Sequence, residues 1–288
     1  MTMSRRAAIT AAAALALVAS GAAARVSPQK AEKLGKTLTP VGATRAGSKD
    51  GRIPPWTGGL SRYPASVKSR LPDIKYKGNL VAFLTRYYNE WGDKALPNPY
   101  GNDKVKFTIT SKNYRKYADH LPPGLIAMFR HYKDFRMKIY PTRRSAAYPK
   151  KVYAATRKNA TRATLHGLNG VENAAVGFPF PIPQSAPQVM WNHMLGWHFP
   201  NSVIVHEANA IVSQSGSYYL VGNTVRVKFW YDRFGMTPKK LEQHKNMNVY
   251  LISQVVSPAR LAGNVLLVWE PINLEKQHRS AWIYNPGQ

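Results

Sequence analysis

The first half of the chain carries apolar side chains at the spacing of amphipathic helices. The clearest case runs from Leu80 to Trp91, where large apolar residues recur three and four positions apart until Gly92 ends the pattern. Serine and proline at suitable starting positions indicate further helices, after a short strand around residues 107–110. These predicted helices are Ser111–His120, a segment that opens at Pro122-Pro123, Pro149–Ala163 and Ala186–Trp197.

The second half alternates apolar and polar residues, which is the period of a strand with one buried face. The alternating apolar residues are Val225, Val227, Phe229 and Tyr231. Gly222-Asn223 is a favoured two-residue turn, so we expect a hairpin around it. Further strands are predicted over Asn248–Val256, Gly263–Trp269 and Ser280–Tyr284. Helices early and strands late, without a βαβ rhythm, indicate an α+β fold with an antiparallel sheet.

Composition narrows the function classes mainly by what is missing. The 288 residues are 44% apolar and include no cysteine, which excludes disulfide frameworks, zinc–thiolate sites, iron–sulfur clusters and cysteine nucleophiles. The 41 lysines and arginines face only 14 acidic residues, for a formal net charge of +27. Such an excess favours anionic partners such as nucleic acid, lipid head groups or lipopolysaccharide.

The N-terminus has the pattern of a secretion signal. Arg5 and Arg6 precede an apolar stretch, and Ala22 and Ala24 occupy the −3 and −1 positions of a cleavage site before Arg25. We therefore expect a signal peptide over residues 1–24, an extended arm with loops over 25–78 and an α+β domain over 79–288. The mature chain has no long apolar run and no lipidation cysteine, so the expected location is the periplasm.

No familiar catalytic motif is present, whether nucleophile elbow, Walker-type phosphate loop or dinucleotide-binding fingerprint. His206-Glu207 lacks the second histidine of a zinc-protease motif, and His193 and His198 do not share a helical face. We expect a protein without catalytic activity, metal or cofactor. A hydrolase of hydrophobic esters is an alternative, to be tested by mutation of His193 or His206.

A basic segment with interleaved aromatic residues lies between Arg130 and Lys158, where ten lysines and arginines face one acid. In an intracellular protein this pattern would suggest nucleic-acid binding, but the leader disfavours that partner. The remaining functional interpretation is contact with anionic envelope lipid. The alternative is a solvated basic face over buried aromatics. The candidate contact residues are Arg130, Lys133, Arg136, Arg143 and Arg144.

The run from Gly177 to Pro183 alternates phenylalanine and proline, and must be extended because each proline disfavours the helical region at the residue before it. It is either a packed connector or a rigid docking strip.

Four long strings in the same order resemble the exported bacterial domain-of-unknown-function family 1329, also described as outer-membrane lipoprotein-sorting proteins. They are Leu34–Leu60, Tyr140–Thr161, Gly177–His193 and Trp269–Gln288. The resemblance implies a fold similar to the Lol-pathway lipoprotein carriers, a curved antiparallel sheet that forms an unclosed half-barrel covered by helices. It also implies continuation beyond residue 288, so we expect a chain that is incomplete at its C-terminus. Relative to the family, the Leu80–Trp91 helix resembles an insertion.

The resemblance and the residue patterns together lead to three hypotheses. The first is a non-catalytic carrier of a lipid-like molecule, with Val225, Val227, Phe229 and Tyr231 facing the cargo or forming plain core. The second is an accessory subunit that docks on an outer-membrane barrel protein and an inner-membrane resistance-nodulation-division transporter, as the family's gene neighbours imply. The third is the ester hydrolase.

Overall fold

The computed structural model describes residues 25–62, 78–90, 98–199 and 201–287. The proposed signal peptide with Ala24 lies outside these ranges, as does Trp91. The described residues fall into two units. The larger takes those within Met1–Arg45, Leu71–Ala95 and Tyr148–Gln288, and the smaller those within Ala46–Arg70 and Leu96–Ala147. The predicted boundary between residues 78 and 79 stays a prediction.

Helices and strands alternate irregularly, which makes this a mixed fold. The helices are α1 (Pro28–Ala31), α2 (Leu80–Glu90), a 3₁₀ helix (Tyr114–His120), α3 (Pro123–His131), α4 (Lys150–Arg162), α5 (Ala186–Met194) and α6 (Pro238–Gln243). The strands are β1 (Phe107–Thr110), β2 (Arg136–Ile139), β3 (Thr164–His166), β4 (Gly170–Glu172), β5 (Ser202–Val212), β6 (Tyr218–Phe229), β7 (Met247–Ser257), β8 (Val265–Pro271) and β9 (Ser280–Tyr284). The predicted helices and strands are thus confirmed within a few residues, although Ser111–His120 is a 3₁₀ helix that begins at Tyr114.

The largest element is an antiparallel sheet in the order β5-β6-β7-β8-β9. Within the described part of the chain, β5 and β9 pair on one side only, so the sheet is not closed into a barrel. The other four strands form two small two-stranded antiparallel sheets, β1–β2 and β3–β4.

The predicted hairpin turn at Gly222-Asn223 is wrong. These residues lie inside β6, opposite Ala208 and Glu207 of β5, and the turn is formed by residues 213–217. A Cβ added at Gly222 would come within 3.0 Å of Val81 Cγ2 in α2. The glycine therefore allows a helix to approach the sheet, which is a long-range role that the local sequence pattern does not distinguish from a turn.

The main core cluster of the larger unit forms at one end of the sheet, where β6 ends. Tyr231 is fully buried here, among apolar side chains from α5, α6, β4 and the loops. Its hydroxyl donates a hydrogen bond to the Gly177 carbonyl oxygen at 2.9 Å. The sequence pattern placed Tyr231 on the strand with Val225, but β6 ends at Phe229 and Tyr231 is a core residue.

The run from Gly177 to Pro183 is a packed connector. Phe180 is buried in the core, and its backbone exchanges two hydrogen bonds with the Asn192 side chain of α5, at 2.6 and 2.8 Å. The hydrogen bonds fix the extended backbone that the prolines require.

A strained backbone segment leads into this connector and is held by buried polar groups. Val176 has φ of 60°, a conformation unfavourable for a β-branched residue. Asn159 of α4 is fully buried, and its side-chain amide donates to the Val176 carbonyl oxygen at 2.8 Å. The Asn159 side-chain oxygen accepts from Arg162 Nη2 at 2.8 Å. Helix α4 therefore stabilises the backbone conformation at Val176.

The smaller unit has its own core. Helix α3 packs Phe129 against Tyr114 of the 3₁₀ helix with stacked rings 5.8 Å apart, and Phe129 also contacts Phe135. Strand β2 directs Met137 and Ile139 towards this cluster and leaves Arg136 exposed.

Asn159→Ala tests the role of the buried amide. We expect a loss of at least about 2 kcal/mol in the free energy of unfolding, because the Val176 carbonyl oxygen and the Arg162 guanidinium lose a buried partner. Chemical denaturation measures this loss. The exposed Asn209→Ala variant on β5 is the control, expected to lose less than about 0.5 kcal/mol. Equal losses in the two variants would contradict the assigned role.

Candidate ligand-binding groove

One face of the five-stranded sheet carries two rows of side chains that run across the strands. Residues directly opposite one another in antiparallel strands lie on the same face, so the pairing register defines each row. The first row is Ile204, Arg226, Ile252, Leu267 and Trp282. The second row is Ser202, Lys228, Tyr250, Trp269 and Ser280.

These rows line an open groove of about 320 Å³ on β5–β8. Seven of its ten lining residues belong to the two rows, and the other three, Val203, Val227 and Leu251, lie between the rows on their strands. The groove therefore opens on the face of Ile204 and Ile252. Ile204 is 60% exposed and Ile252 36% exposed, although both are large aliphatic residues. Uncovered apolar side chains grouped in a groove are typical of a binding site.

Aromatic rings extend this face towards the edge strand β9. Tyr250 and Trp269 have ring centroids 5.3 Å apart, and Trp269 and Trp282 are 5.1 Å apart. Trp269 is 39% exposed and Trp282 is 49% exposed. Each ring offers a flat apolar surface to an incoming molecule.

Helix α2 covers the other end of the same face. It contacts β5, β6 and β7, and Leu80 and Val81 lie against Gly222. Gly222 and Arg226 are four residues apart on β6 and so share a face. The helix leaves the two rows of the groove uncovered.

Of the four residues predicted from sequence to face the cargo, Val227 is among the ten that line the groove, whereas Val225, Phe229 and Tyr231 are not. Val225 and Val227 alternate with Arg226 and Lys228, which places them on the opposite face of the sheet with Phe229. That face is mostly apolar, and it is half-buried from Val221 to Phe229. Tyr231 is not on either face, because it is buried beyond the strand end. Whether Val225, Val227 and Phe229 contact a ligand stays a prediction.

Local pattern alone could not have found the groove. Each strand shows period-2 alternation, but the alignment of Ile204 with Arg226 depends on a turn at residues 213–217. A turn at Gly222-Asn223 breaks that alignment and leaves β5 without its partner.

Besides the groove, the larger unit contains a polar feature, a histidine–aspartate pair beside the sheet. The Asp232 carboxylate is buried and accepts hydrogen bonds through Oδ2 from the His198 backbone N–H at 2.9 Å and from its imidazole Nδ1 at 3.3 Å. The hydrogen bond to Asp232 raises the pKa of His198, whereas burial raises the pKa of the Asp232 carboxyl. The imidazole stacks on Phe229 with centroids 5.7 Å apart.

The other histidines highlighted by sequence lie apart from this pair. His193 is exposed on α5, and His206 Nδ1 contacts Thr224 Oγ1 at 3.0 Å on β6. Within residues 25–62, 78–90, 98–199 and 201–287, no three His, Asp or Glu side chains converge in a way that could hold a metal ion.

The five predicted basic contact residues divide into two groups, all in the smaller unit. Arg143 forms an ion pair with Asp103 at 2.5 Å, and Arg144 donates to the Ala46 carbonyl oxygen at 3.3 Å. These two side chains stabilise loops of their own unit. Arg130, Lys133 and Arg136 are exposed around the end of α3 and the start of β2.

The His198–Asp232 pair makes stability depend on pH. Because the folded pKa of His198 is raised, the protonated form stabilises the fold below about pH 6.5, and this contribution is lost as pH rises through the folded pKa. Asp232→Asn should lower the His198 pKa, measured by NMR titration of the histidine C–H resonances, and should reduce the change in thermal stability between about pH 6 and pH 8. His193→Gln is the control, expected to leave both quantities unchanged. An unaltered His198 titration in Asp232→Asn would contradict the pairing.

Among the described residues, no helix is both long and apolar enough to cross a membrane.

Comparison with known proteins identifies the family but not a function. Residues 108–288 match the family described as a protein of unknown function, DUF1329. An uncharacterized protein of Pseudomonas aeruginosa is 40% identical over 281 residues, which cover 96% of this chain and 55% of that relative. The chain therefore spans about half the length of the relative. No solved structure matches the chain. On the family match and this relative together, the chain belongs to the DUF1329 family of proteins of unknown function.

Proposed function

We propose that this protein binds a lipid-like hydrophobic molecule in the groove on β5–β8 and carries it without catalysing a reaction. The observation that supports this function is the pair of exposed aliphatic side chains, Ile204 and Ile252, in a groove on an open sheet face. An acyl chain that covers them gains about 0.8 kcal/mol for each buried methylene. A site of this kind retains its ligand through contact area alone and needs no reactive group.

We also propose a curved shape for the sheet and a periplasmic location for the protein. An unclosed half-barrel of the Lol-carrier kind would curve the sheet around such a ligand, with α2 over one end of the ligand-binding face. The leader pattern up to Ala24 would direct the chain to the periplasm, where a carrier between two membranes is needed.

Two groove substitutions, Ile204→Gln and Ile252→Gln combined, test this function. We expect the Kd for a fluorescent fatty-acid analogue to rise at least about tenfold, because two apolar contacts are replaced by amides that retain their water. Both side chains are exposed in the free protein, so the fold should be retained.

The matched control is Val205→Gln combined with Leu266→Gln, two exposed positions on the opposite face. Its Kd should stay within about twofold of the original. If the control variant loses binding and the groove variant does not, the ligand lies on the face of Val225 and Val227. If the unmodified protein shows no saturable binding, the proposed function is wrong.

The exposed cations of the smaller unit favour a contact with anionic lipid surfaces. We propose that Lys133 and Arg136 bring the protein to anionic lipid surfaces, at about 1 kcal/mol for each cation near the surface. Such attraction would place a carrier beside the membrane from which it loads.

Vesicle sedimentation tests this contact. Lys133→Gln combined with Arg136→Gln should weaken binding to phosphatidylglycerol-containing vesicles at least about tenfold, whereas phosphatidylcholine vesicles should bind neither form. Lys158→Gln combined with Lys239→Gln removes the same charge from exposed helix positions in the larger unit and should leave vesicle binding nearly unchanged. Equal weakening by both pairs would show attraction by net charge alone.

A further inference from the structure

The groove contains two cations in its otherwise apolar lining. Arg226 belongs to the aliphatic row, directly between Ile204 and Ile252, and Lys228 belongs to the neighbouring row. The two positions lie about 7 Å apart along one face of β6, from the rise of a strand. Both side chains are exposed. A charged residue in the middle of an apolar row is unusual for a surface whose only task is to bind hydrocarbon.

The charge in the groove has no counterpart within the described residues. No aspartate or glutamate is among the ten lining residues, and neither Arg226 nor Lys228 takes part in the ion pairs of the described part of the chain. Lys228 Nζ instead lies 4.2 Å from the centroid of the Trp230 ring, which holds the ammonium on this side of the strand. An anion placed between the two side chains would neutralise both and accept hydrogen bonds from each.

The geometry points to the chemical class of the ligand. We propose that the groove takes a single-chain amphiphile with an anionic phosphate or carboxylate head group, bound by Arg226 and Lys228. This inference rests on the proposed function and adds the polarity of the ligand. The head group of the ligand lies at β6, and its hydrocarbon chain runs across Ile252 and Leu267 towards Trp282.

The length of the row and the volume of the groove suit a ligand with one hydrocarbon chain. From β6 to β9 the row spans three strand spacings, about 14 Å. The groove volume of about 320 Å³ lies at the lower end of the range for small-molecule sites. A row of single side chains offers one track for hydrocarbon.

The experiment compares two ligands that share a dodecyl chain. Isothermal titration calorimetry below the micelle concentration measures binding of dodecyl phosphate and of uncharged dodecyl maltoside, with inorganic phosphate as the head-group control. We expect dodecyl phosphate to bind at least about tenfold more tightly than the maltoside, because it adds charge-assisted hydrogen bonds. Inorganic phosphate alone should bind far more weakly than dodecyl phosphate.

Arg226→Gln combined with Lys228→Gln should abolish the preference for dodecyl phosphate and leave the affinity for the maltoside unchanged. Arg226→Lys combined with Lys228→Arg should restore most of the preference, and the melting temperature of each variant checks the fold. Lys158→Gln combined with Lys239→Gln removes equal charge elsewhere in the larger unit and should leave the preference intact.

The outcomes separate the two proposals. Equal affinity for both amphiphiles, or a preference that survives in Arg226→Gln/Lys228→Gln, overturns the head-group assignment and leaves the proposed function standing. Inorganic phosphate that binds as tightly as dodecyl phosphate shows an ion site and overturns the amphiphile. If the unmodified protein binds neither amphiphile, the proposed function fails, and the head-group assignment fails with it.

Discussion

The buried Tyr231 side chain connects the sheet to the rest of the larger unit. Its hydroxyl donates to the Gly177 carbonyl oxygen, and its own carbonyl oxygen accepts from the Val176 N–H at 3.1 Å. Burial raises the pKa of Tyr231 well above its ordinary value, so the hydroxyl remains a donor at physiological pH. These two bonds hold the strained backbone at Val176, which Asn159 of α4 holds from the other side. Helix, connector and sheet thus meet at one residue.

Tyr231 lies at one end of the sheet, so most of the sheet extends beyond the core that surrounds this residue. The strands from β5 to β9 extend away from the core, and α2 packs on β5, β6 and β7 at the far end. The middle of the face is left with aliphatic and aromatic side chains open to solvent. A sheet that is fixed at its end can expose an apolar face without losing its register. The same architecture that stabilises the fold therefore provides the groove.

The sequence correctly predicted those helices and strands that are determined by residues near to them in the chain. Helices α2 and α4 follow from apolar periodicity and from Pro149, and β7 to β9 follow from alternation. The errors occur where a distant residue decides. Position 222 favours glycine because Val81 of α2 lies close to the space that a larger side chain would take. Strand β6 ends before Tyr231 because the Asn248 carbonyl oxygen accepts hydrogen bonds from the Trp230 and Tyr231 N–H groups. Neither cause is encoded in the neighbouring residues.

The position of the groove also depends on long-range strand pairing, which neighbouring residues do not reveal. Alternation correctly separated Val225 and Val227 from Arg226 and Lys228, but the choice of the ligand-binding face required the whole register. The cations looked like solvent-facing residues of an ordinary strand. Only the alignment of Arg226 with Ile204 and Ile252 shows that they lie within an apolar surface.

The most direct test of this account is photo-crosslinking with a fatty acid that carries a diazirine in its chain, followed by mass spectrometry of the labelled peptides. We expect label on Ile204, Ile252, Leu267 or their neighbours in the two rows, and loss of that label when unlabelled laurate competes. Label confined to Val205, Val225 and Leu266 on the opposite face, or label that laurate does not displace, would contradict it.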